Sequence, residues 1–153
     1  MNKTVIVDLD GTLADINHRV PLVKQEKPDW DAFYDACKYD ALNQWCADLM
    51  DAMADTHNVI ILSGRSKRCL KDTRDWLKKN NVSYHKLVLV REERDYTPDQ
   101  DLKRDWMRKF TGRRNVAFIV DDRQRVVDMW RAEGYVCLQC YAWEEWKPIK
   151  KQK

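Results

Sequence analysis

Four groups of polar residues have the types and the order needed to handle a phosphate group. They are Asp8-Leu9-Asp10-Gly11-Thr12, Ser63-Gly64-Arg65, Asp99 with Lys103, and Asp121-Asp122-Arg123. Three of these groups directly follow a short apolar run that predicts a strand, and Asp99 begins the helix predicted after another strand. The carboxyl ends of parallel strands share one edge of a sheet, so groups from both ends of the chain are expected to meet there.

Carboxylates brought together in this way predict a metal site. Asp8, Asp10, Asp121 and Asp122 would repel one another and raise one another's pKa if no cation lay between them. A small number of hard oxygen ligands suits Mg²⁺, which keeps some of its waters and commonly bridges to a substrate phosphate. We therefore expect Mg²⁺ at this edge of the sheet.

The remaining groups favour a phosphate as the ligand. Lys103 and Arg65 supply positive charge, and the Ser63 hydroxyl with the Gly64 amide can donate hydrogen bonds. A carboxylate, a metal and phosphate donors together predict phosphoryl transfer, in which one Asp attacks phosphorus and another protonates the leaving oxygen and later activates water. Each motif alone is typical of a turn or a cap, but the four in this order favour the catalytic interpretation.

The elements that must position these groups alternate along the chain. Apolar runs at residues 4–9, 59–62, 86–90, 116–120 and 135–140 predict five strands. Amphipathic spacing predicts helices over residues 41–55, 67–80, 99–110 and 124–133. This alternation predicts an α/β fold, a Rossmann-like parallel sheet of about five strands with helices on both faces.

One segment, residues 15–40, interrupts the alternation after the first strand. It holds Pro21 and Pro28 and the aromatic residues Trp30, Phe33 and Tyr34. Connections of this length are uncommon unless they are functional, which favours a small lid over the first strand. The alternative is a surface loop whose aromatic side chains complete the core, and the sequence does not separate the two.

Length and composition restrict the class of protein. The chain has 153 residues, with 28 Lys and Arg against 25 Asp and Glu and a net charge of +3, so we expect one domain spanning residues 1–153 and no nucleic-acid affinity from net charge alone. No apolar run reaches the length of a membrane span, and the N-terminal residues do not form a signal peptide. The five cysteines are odd in number and scattered, which favours reduced thiols, including Cys137 and Cys140, and a cytoplasmic protein.

The motifs resemble those of the haloacid dehalogenase superfamily. The matching residues are D-x-D-G-T at 8–12, S-G-R at 63–65, Lys103, and the pair Asp121-Asp122. More narrowly, the sequence is similar to the 3′-phosphatase domain of phage-type polynucleotide kinase-phosphatases. Arg19, Asp99 four positions before Lys103, and the run D-D-R-Q-R-V-V-D-M-W-R at 121–131 carry this narrower resemblance.

The resemblance implies a role for each of these residues. Asp8 would be the nucleophile that forms an aspartyl-phosphate, and Asp10 the general acid and base. Mg²⁺ would be held by Asp8, the Asp10 backbone carbonyl and Asp122, with Asp121 close behind. The phosphate would be held by Thr12, Ser63, Gly64 and Lys103, and Arg19 and Arg65 would contact the substrate or transition state. Asp99 would support the site, for example by orienting an arginine; its plainer interpretation is an Asp favoured by a helix N-terminus.

The resemblance implies that the substrate is the 3′-phosphate of a polynucleotide end in nucleic-acid repair. It also implies a kinase or a ligase as partner, and the cytoplasm of a phage-infected host cell as one setting. The sequence has no G-x-x-x-x-G-K-[ST] loop, so we expect no 5′ phosphorylation by that route. This departure leaves open a nucleotide or small-metabolite phosphatase, similar to a deoxyribonucleotidase. A non-catalytic binding module on a phosphatase fold is a third possibility, which the intact Asp8 and Asp10 disfavour.

Other residue types that attract attention have plainer interpretations. His18 is expected to be a loop histidine that touches substrate or solvent. Trp45, Trp76, Trp106 and Trp130 have helical spacing and are predicted in the core. Trp30 and Tyr34 are the better candidates for stacking on a nucleobase. Residues 147–153 are expected to be a solvated end.

Overall fold

The structure, a computed structural model, describes residues 2–142. Its strands are β1 (Thr4–Val7), β2 (Ala14–Asp15), β3 (Ala41–Leu42), β4 (Asn58–Ser66), β5 (Lys86–Arg91), β6 (Val116–Asp121) and β7 (Cys137–Gln139). Its helices are α1 (Pro21–Lys24), α2 (Trp30–Asp35), α3 (Gln44–Ala54), α4 (Leu70–Lys79), α5 (Asp99–Lys109) and α6 (Gln124–Ala132). Short 3₁₀ turns cover Ala36–Tyr39, Lys67–Cys69 and Arg113–Asn115.

Five strands form a parallel sheet in the order β5-β4-β1-β6-β7. β1 is central, and its Val5 pairs with Val59 of β4 on one side and Phe118 of β6 on the other. The chain builds the sheet outward from β1 in one direction and then crosses to the other side at β6. Strand order therefore reverses between β1 and β6, where a crevice opens at the carboxyl ends of the strands. The predicted Rossmann-like α/β fold is confirmed.

The core lies on both faces of this sheet because neighbouring side chains of a strand point in opposite directions. On β1, Val5 and Val7 pack with the residues of α3 and α4, such as Met50 and Leu77, on one face. Ile6 packs on the other face with the residues of α5 and α6, including Trp130. Strands buried on both sides explain why the strand sequences are continuous apolar runs rather than alternating ones.

The insertion, residues 15–40, lies between β2 and β3, which pair with each other antiparallel. It contains α1 and α2, and the Asp29 side chain caps α2 by accepting from the Ala32 amide at 3.0 Å. Phe33 is buried in the core cluster, against which Tyr34 also packs, and Trp30, Phe33 and Tyr34 all line a cleft above the sheet. The aromatic side chains of this segment thus complete the core and also face the cleft, and its role as a lid stays a prediction.

Several boundaries differ from those predicted. The helix predicted from residue 41 begins at Gln44, because Ala41–Leu42 pairs with β2. β4 continues past the apolar run to Ser66, where Ser63 and Ser66 pair with β5, so Ser63-Gly64-Arg65 lies within the strand rather than after it. The strand predicted over 135–140 is reduced to Cys137–Gln139.

The predicted placement of the tryptophans is partly wrong. Trp45 is 47% exposed rather than in the core, because it lies in the first turn of α3 beside solvent. Trp76 and Trp130 are buried as predicted, and Trp106 is partly buried and stacks on Phe110 at 4.8 Å. Trp143, Trp146 and the tail at 147–153 lie outside the described residues. Among residues 2–142, the helices are too short and too polar to cross a membrane.

Candidate active site

Three carboxylates meet where the strand order reverses. Asp8 follows β1, and Asp121 and Asp122 end and follow β6; all three are buried, and a carboxylate oxygen from each lies within 4.8 Å of the others. Lys103, in α5, is also buried, and its Nζ donates to Asp8 Oδ1 at 2.8 Å and to Asp121 Oδ2 at 3.0 Å. The fold thus brings together two of the predicted motifs and the lysine of a third.

The charges of this cluster do not balance. Burial and the neighbouring Asp121 raise the pKa of Asp8 well above its usual value, although Lys103 opposes the shift. Burial and Asp121 also raise the pKa of Asp122, to about 6. Three carboxylates against one ammonium leave an excess of negative charge, and all the donor atoms are hard oxygens. This donor set fits a divalent cation with oxygen preference, which would keep the carboxylates ionised.

The backbone between Asp8 and Thr12 is shaped around this cluster. Gly11 has a φ of +81°, and a Cβ at this position would lie 2.1 Å from Asp122 Oδ2. Only glycine combines this backbone conformation with such a close approach to a carboxylate. The buried Thr12 hydroxyl lies 3.3 Å from Asp8 Oδ2 and 3.3 Å from Asp122 Oδ1, so it can donate to either carboxylate.

Asp10 lies beside two arginines that have no exposed side-chain surface. Asp10 Oδ1 accepts from Arg19 Nη2 at 2.8 Å and from Arg65 Nε at 2.8 Å. Behind them, Asp40 accepts from Arg19 Nε and from Arg65 Nη2, each at 2.8 Å. Arg65 also donates to the Thr73 hydroxyl of α4 at 3.0 Å. Two guanidinium groups and two carboxylates thus form a buried network that joins the insertion to β4.

The network controls the protonation of Asp10. Burial by itself would raise the pKa of Asp10, but the charges and hydrogen bonds of Arg65 and Arg19 outweigh it and hold the pKa well below its usual range. Asp10 is therefore ionised in this structure. Arg19 and Arg65 were expected to contact the substrate; the structure places both behind Asp10, because their donors are engaged by Asp10 and Asp40.

The second polar group, Ser63-Gly64-Arg65, lies in β4 and contacts Asp10 through Arg65. Ser63 is buried, and its Oγ accepts from the Arg65 amide at 3.1 Å. Gly64 lines the cleft, and a Cβ there would lie 2.5 Å from Asp99 Oδ1. Asp99 itself lies between two arginines: it pairs with Arg91 and accepts from Arg123 Nη1 at 3.3 Å. Asp99 begins α5, so it also has the position expected of an acidic residue at a helix N-terminus.

Sequence reasoning missed Asp40 and Arg91. Asp40 follows the aromatic part of the insertion with no motif around it, and only its burial between Arg19 and Arg65 reveals its importance. Arg91 ends β5, and its guanidinium also binds the carbonyls of Gly64, Asp95 and Thr97. Its place at the end of a predicted strand was an available signal. His18 proves to contact a carboxylate, with Nε2 2.6 Å from Asp40 Oδ1.

A cleft of about 580 Å³ lies at this edge of the sheet. Asp8, Asp10, Lys103, Asp121 and Asp122 lie along its lining with Gly64 and Asp99. Its other walls are the insertion, with apolar side chains from Ile16 to Tyr34, and a polar rim that carries Arg123, Gln124 and Arg125. The cleft therefore places an acidic cluster next to an apolar wall and a cationic rim.

The sequence matches a described protein family. A family model for the polynucleotide kinase PNKP phosphatase domain covers residues 2–143. The chain belongs to this family. As a member it is a phosphatase domain of the haloacid dehalogenase type, and the resemblance of its motifs to this group is confirmed.

Relatives within the family are larger proteins. The chain is 32% identical over 142 residues to a protein of Autographa californica nuclear polyhedrosis virus described as a bifunctional polynucleotide kinase/RNA ligase, covering 84% of this chain. It also matches a chain in the structure of the Pnkp1/Rnl/Hen1 RNA repair complex, with a TM-score of 0.77, 32% identity and 92% of this chain covered. The family domain spans 18% of the viral relative and 43% of the chain in the complex.

More distant structures share the fold alone. A haloacid dehalogenase-like hydrolase from Streptococcus pneumoniae, SP0104, has a TM-score of 0.59 at 13% identity, with 90% of this chain and 84% of that chain covered. This similarity supports the α/β architecture described above.

Proposed function

We propose that the protein removes the 3′-phosphate from polynucleotide ends, through an aspartyl-phosphate on Asp8 and with Mg²⁺ bound by Asp8, Asp122 and the Asp10 backbone carbonyl. Asp121 holds Lys103 beside the metal position. The observation that carries this proposal is the buried cluster of Asp8, Asp121 and Asp122. Asp8 lies beside Lys103 Nζ in the cleft, and the excess negative charge of the cluster matches a hard divalent cation.

In the first half-reaction, a carboxylate oxygen of Asp8 attacks phosphorus. The phosphorus–oxygen ester bond breaks, and the leaving 3′-oxygen takes a proton from Asp10. Asp10 is ionised before substrate binds, but the negative charge of a bound phosphate favours its protonation, because like charges raise the pKa of a carboxyl. Mg²⁺, when bound, neutralises the charge of Asp8 and of the phosphate so that the two can approach each other.

In the second half-reaction, Asp10 accepts a proton from a water molecule as that water attacks the phosphorus of the acyl phosphate. The bond between phosphorus and Asp8 breaks, inorganic phosphate leaves, and the Asp8 carboxylate is restored. Arg19 and Arg65 favour the ionised form of Asp10 that this step requires. In this proposal, Lys103, Ser63, Thr12 and the Gly64 amide hold phosphoryl oxygens, and Asp99 orients Arg91 and Arg123. Lys103 and Gly64 line the cleft, whereas Ser63 and Thr12 are buried.

The cationic rim supports a polynucleotide rather than a mononucleotide as substrate. Arg123, Gln124 and Arg125 line the cleft, and the Arg123 side chain, which pairs with Asp99, is half exposed. A strand that enters the cleft by its 3′ end carries further phosphodiesters, which gain from positive charge along the entrance. A mononucleotide has no such phosphodiester and gains nothing from the rim.

The names of the relatives support a role in nucleic-acid repair. One is described as a polynucleotide kinase/RNA ligase and another belongs to an RNA repair complex. We infer that the phosphatase works with a kinase, which supplies a 5′-phosphate, and with a ligase, which joins that phosphate to the 3′-hydroxyl that the phosphatase leaves. We also infer that the setting is the cytoplasm, in a phage-infected cell if the protein is phage-encoded.

The experiment is a phosphate-release panel. The protein is assayed with a 3′-phosphorylated DNA oligonucleotide, its RNA counterpart, a nucleoside 3′-monophosphate and a nucleoside 5′-monophosphate at matched concentrations, with Mg²⁺ and with EDTA. We expect the highest kcat/KM on an oligonucleotide and no turnover in EDTA. Faster turnover of the mononucleotides would contradict the polynucleotide assignment.

Asp8→Asn is the test of the nucleophile. We expect no turnover of any substrate, because an amide cannot form the acyl phosphate. The matched control is Asp75→Asn, an exposed carboxylate of α4 outside the cleft, which should keep full activity. Normal activity of Asp8→Asn would remove the nucleophile from the proposal.

A further inference from the structure

We propose that Trp30 and Tyr34 form a stacking wall for the nucleobase of the 3′-terminal nucleotide. The proposal rests on the proposed function, since it concerns how the same cleft holds the nucleotide whose phosphate is removed. It assigns a role to the two aromatic side chains of the insertion that the chemistry at Asp8 and Asp10 does not use.

The wall is a compact aromatic cluster. The Trp30 and Tyr34 rings lie 6.1 Å apart with an angle of 31° between their planes. Phe33 packs edge-on against both, at 5.6 Å from Trp30 and 5.5 Å from Tyr34. Phe33 is buried, whereas Trp30 is 38% exposed and lines the cleft together with Tyr34. Phe33 therefore supports two rings that have surface left for a planar ligand.

The wall lies on the side of the cleft where the leaving group must go. Arg19 donates to Asp10 at 2.8 Å, and its guanidinium carbon lies 4.3 Å above the centre of the Phe33 ring. Asp10 is the residue that protonates the leaving 3′-oxygen in the proposed mechanism, and the sugar and base are attached to that oxygen. A base that follows the leaving oxygen away from phosphorus therefore approaches the aromatic cluster.

Several contacts hold the wall in position. Asp29 caps the first turn of α2, and Arg68 donates to Asp31 at 2.6 Å and to Asp35 at 2.7 Å, which joins both ends of α2 to the 3₁₀ turn Lys67–Cys69. Cys69 Sγ lies 3.8 Å from the Tyr34 carbonyl on the same side. A preformed surface loses little conformational entropy when a ligand binds, so stacking contributes fully to affinity.

An aromatic face selects for a base without selecting its sequence. Every nucleobase has a π-face, and stacking on an aromatic side chain is sequence-tolerant. The wall therefore predicts that all four 3′-terminal nucleotides are accepted with similar KM, and that a terminus without a base is bound more weakly. This recognition would suit an enzyme that acts on ends of any sequence.

The test compares two oligonucleotides that carry a 3′-phosphate, one with a normal terminal nucleotide and one with an abasic terminal sugar. We expect the wild-type KM to be about 5- to 100-fold higher for the abasic end, the range that corresponds to the stacking of one base. Trp30→Ala should raise KM for the normal end by a similar factor with little change in kcat, and should leave KM for the abasic end unchanged. Trp30→Phe, which keeps a stacking face, should stay close to wild type.

The control is Trp45→Ala, which removes a tryptophan that is 47% exposed on α3, outside the cleft, and should change neither constant. If the wild-type protein binds both ends equally well, or Trp30→Ala raises KM equally for both, the wall is not a base site. Failure of the proposed function is distinct: the wild-type protein would then release no phosphate from either oligonucleotide.

Discussion

At the scale of the residue, the site depends on Gly11, a backbone position at which only glycine fits. Gly11 has a φ of +81° and lies against the Asp122 carboxylate, whereas Gly134 has a φ of +91° but no atom within 4 Å of the position a Cβ would take. The two glycines therefore share the conformational requirement but differ in their surroundings. Substitution of Gly134 therefore measures the cost of backbone strain alone, whereas substitution of Gly11 adds the cost of displacing Asp122, a proposed metal ligand.

We predict that Gly134→Ala lowers the free energy of unfolding by about 1–2 kcal/mol, the cost of a left-handed conformation, and leaves activity intact. Gly11→Ala should lower it further and abolish turnover, because a Cβ 2.1 Å from Asp122 Oδ2 must displace that carboxylate. Urea unfolding measures the first effect and phosphate release the second. Equal effects of the two substitutions would show that Asp122 is not confined by Gly11.

At the scale of the element, the insertion is attached to the sheet through charge as well as through apolar packing. Asp40, at the end of the insertion, binds Arg19 of the same segment and Arg65 of β4, and its backbone carbonyl accepts from Trp76 Nε1 of α4 at 2.8 Å. The exposed pairs of Arg68 with Asp31 and Asp35 lie at the outer surface of the same insertion. The insertion is thus attached to the rest of the protein by both buried and exposed ion pairs.

Asp40→Asn should lower the free energy of unfolding by about 3–5 kcal/mol, because it leaves two buried guanidinium groups with one carboxylate between them. Asp35→Asn removes an exposed pair and should cost at most about 1 kcal/mol. Chemical denaturation of the two variants measures the contrast. A loss for Asp40→Asn no larger than that for Asp35→Asn would mean that the network does not hold the insertion.

At the scale of the whole molecule, the carboxyl edge of the sheet concentrates charge that the fold alone does not neutralise. Burial and neighbouring carboxylates raise the pKa of Asp8, and they raise the pKa of Asp122 to about 6. At a given pH, Asp8 and Asp122 are therefore more protonated in the folded protein than in the unfolded chain. The free energy of unfolding of the metal-free protein is therefore expected to fall as pH rises from about 4 through 6.

Mg²⁺ should reverse this loss, because a bound cation stabilises the folded state and favours the ionised carboxylates. We expect the rise in melting temperature on adding Mg²⁺ to be larger at pH 7.5 than at pH 5, where protons compete for the same oxygens. Differential scanning fluorimetry with Mg²⁺ and with Na⁺ at matched ionic strength measures it. An equal rise at both pH values would contradict binding of the metal by this cluster.

The amino-acid sequence by itself determined the five strands of the parallel sheet, the helices α3 to α6 between them, and the edge at which Asp8, Lys103, Asp121 and Asp122 meet. These features follow from hydrophobic periodicity and from the shared direction of parallel strands, both of which are local or topological. Only the tertiary structure decided that β4 carries Ser63 to Arg65 within the strand, that Trp45 is exposed, and that Arg19 and Arg65 lie behind Asp10. These features depend on contacts between distant segments, above all with Asp40, and a buried ion pair has no periodicity that a sequence pattern could reveal.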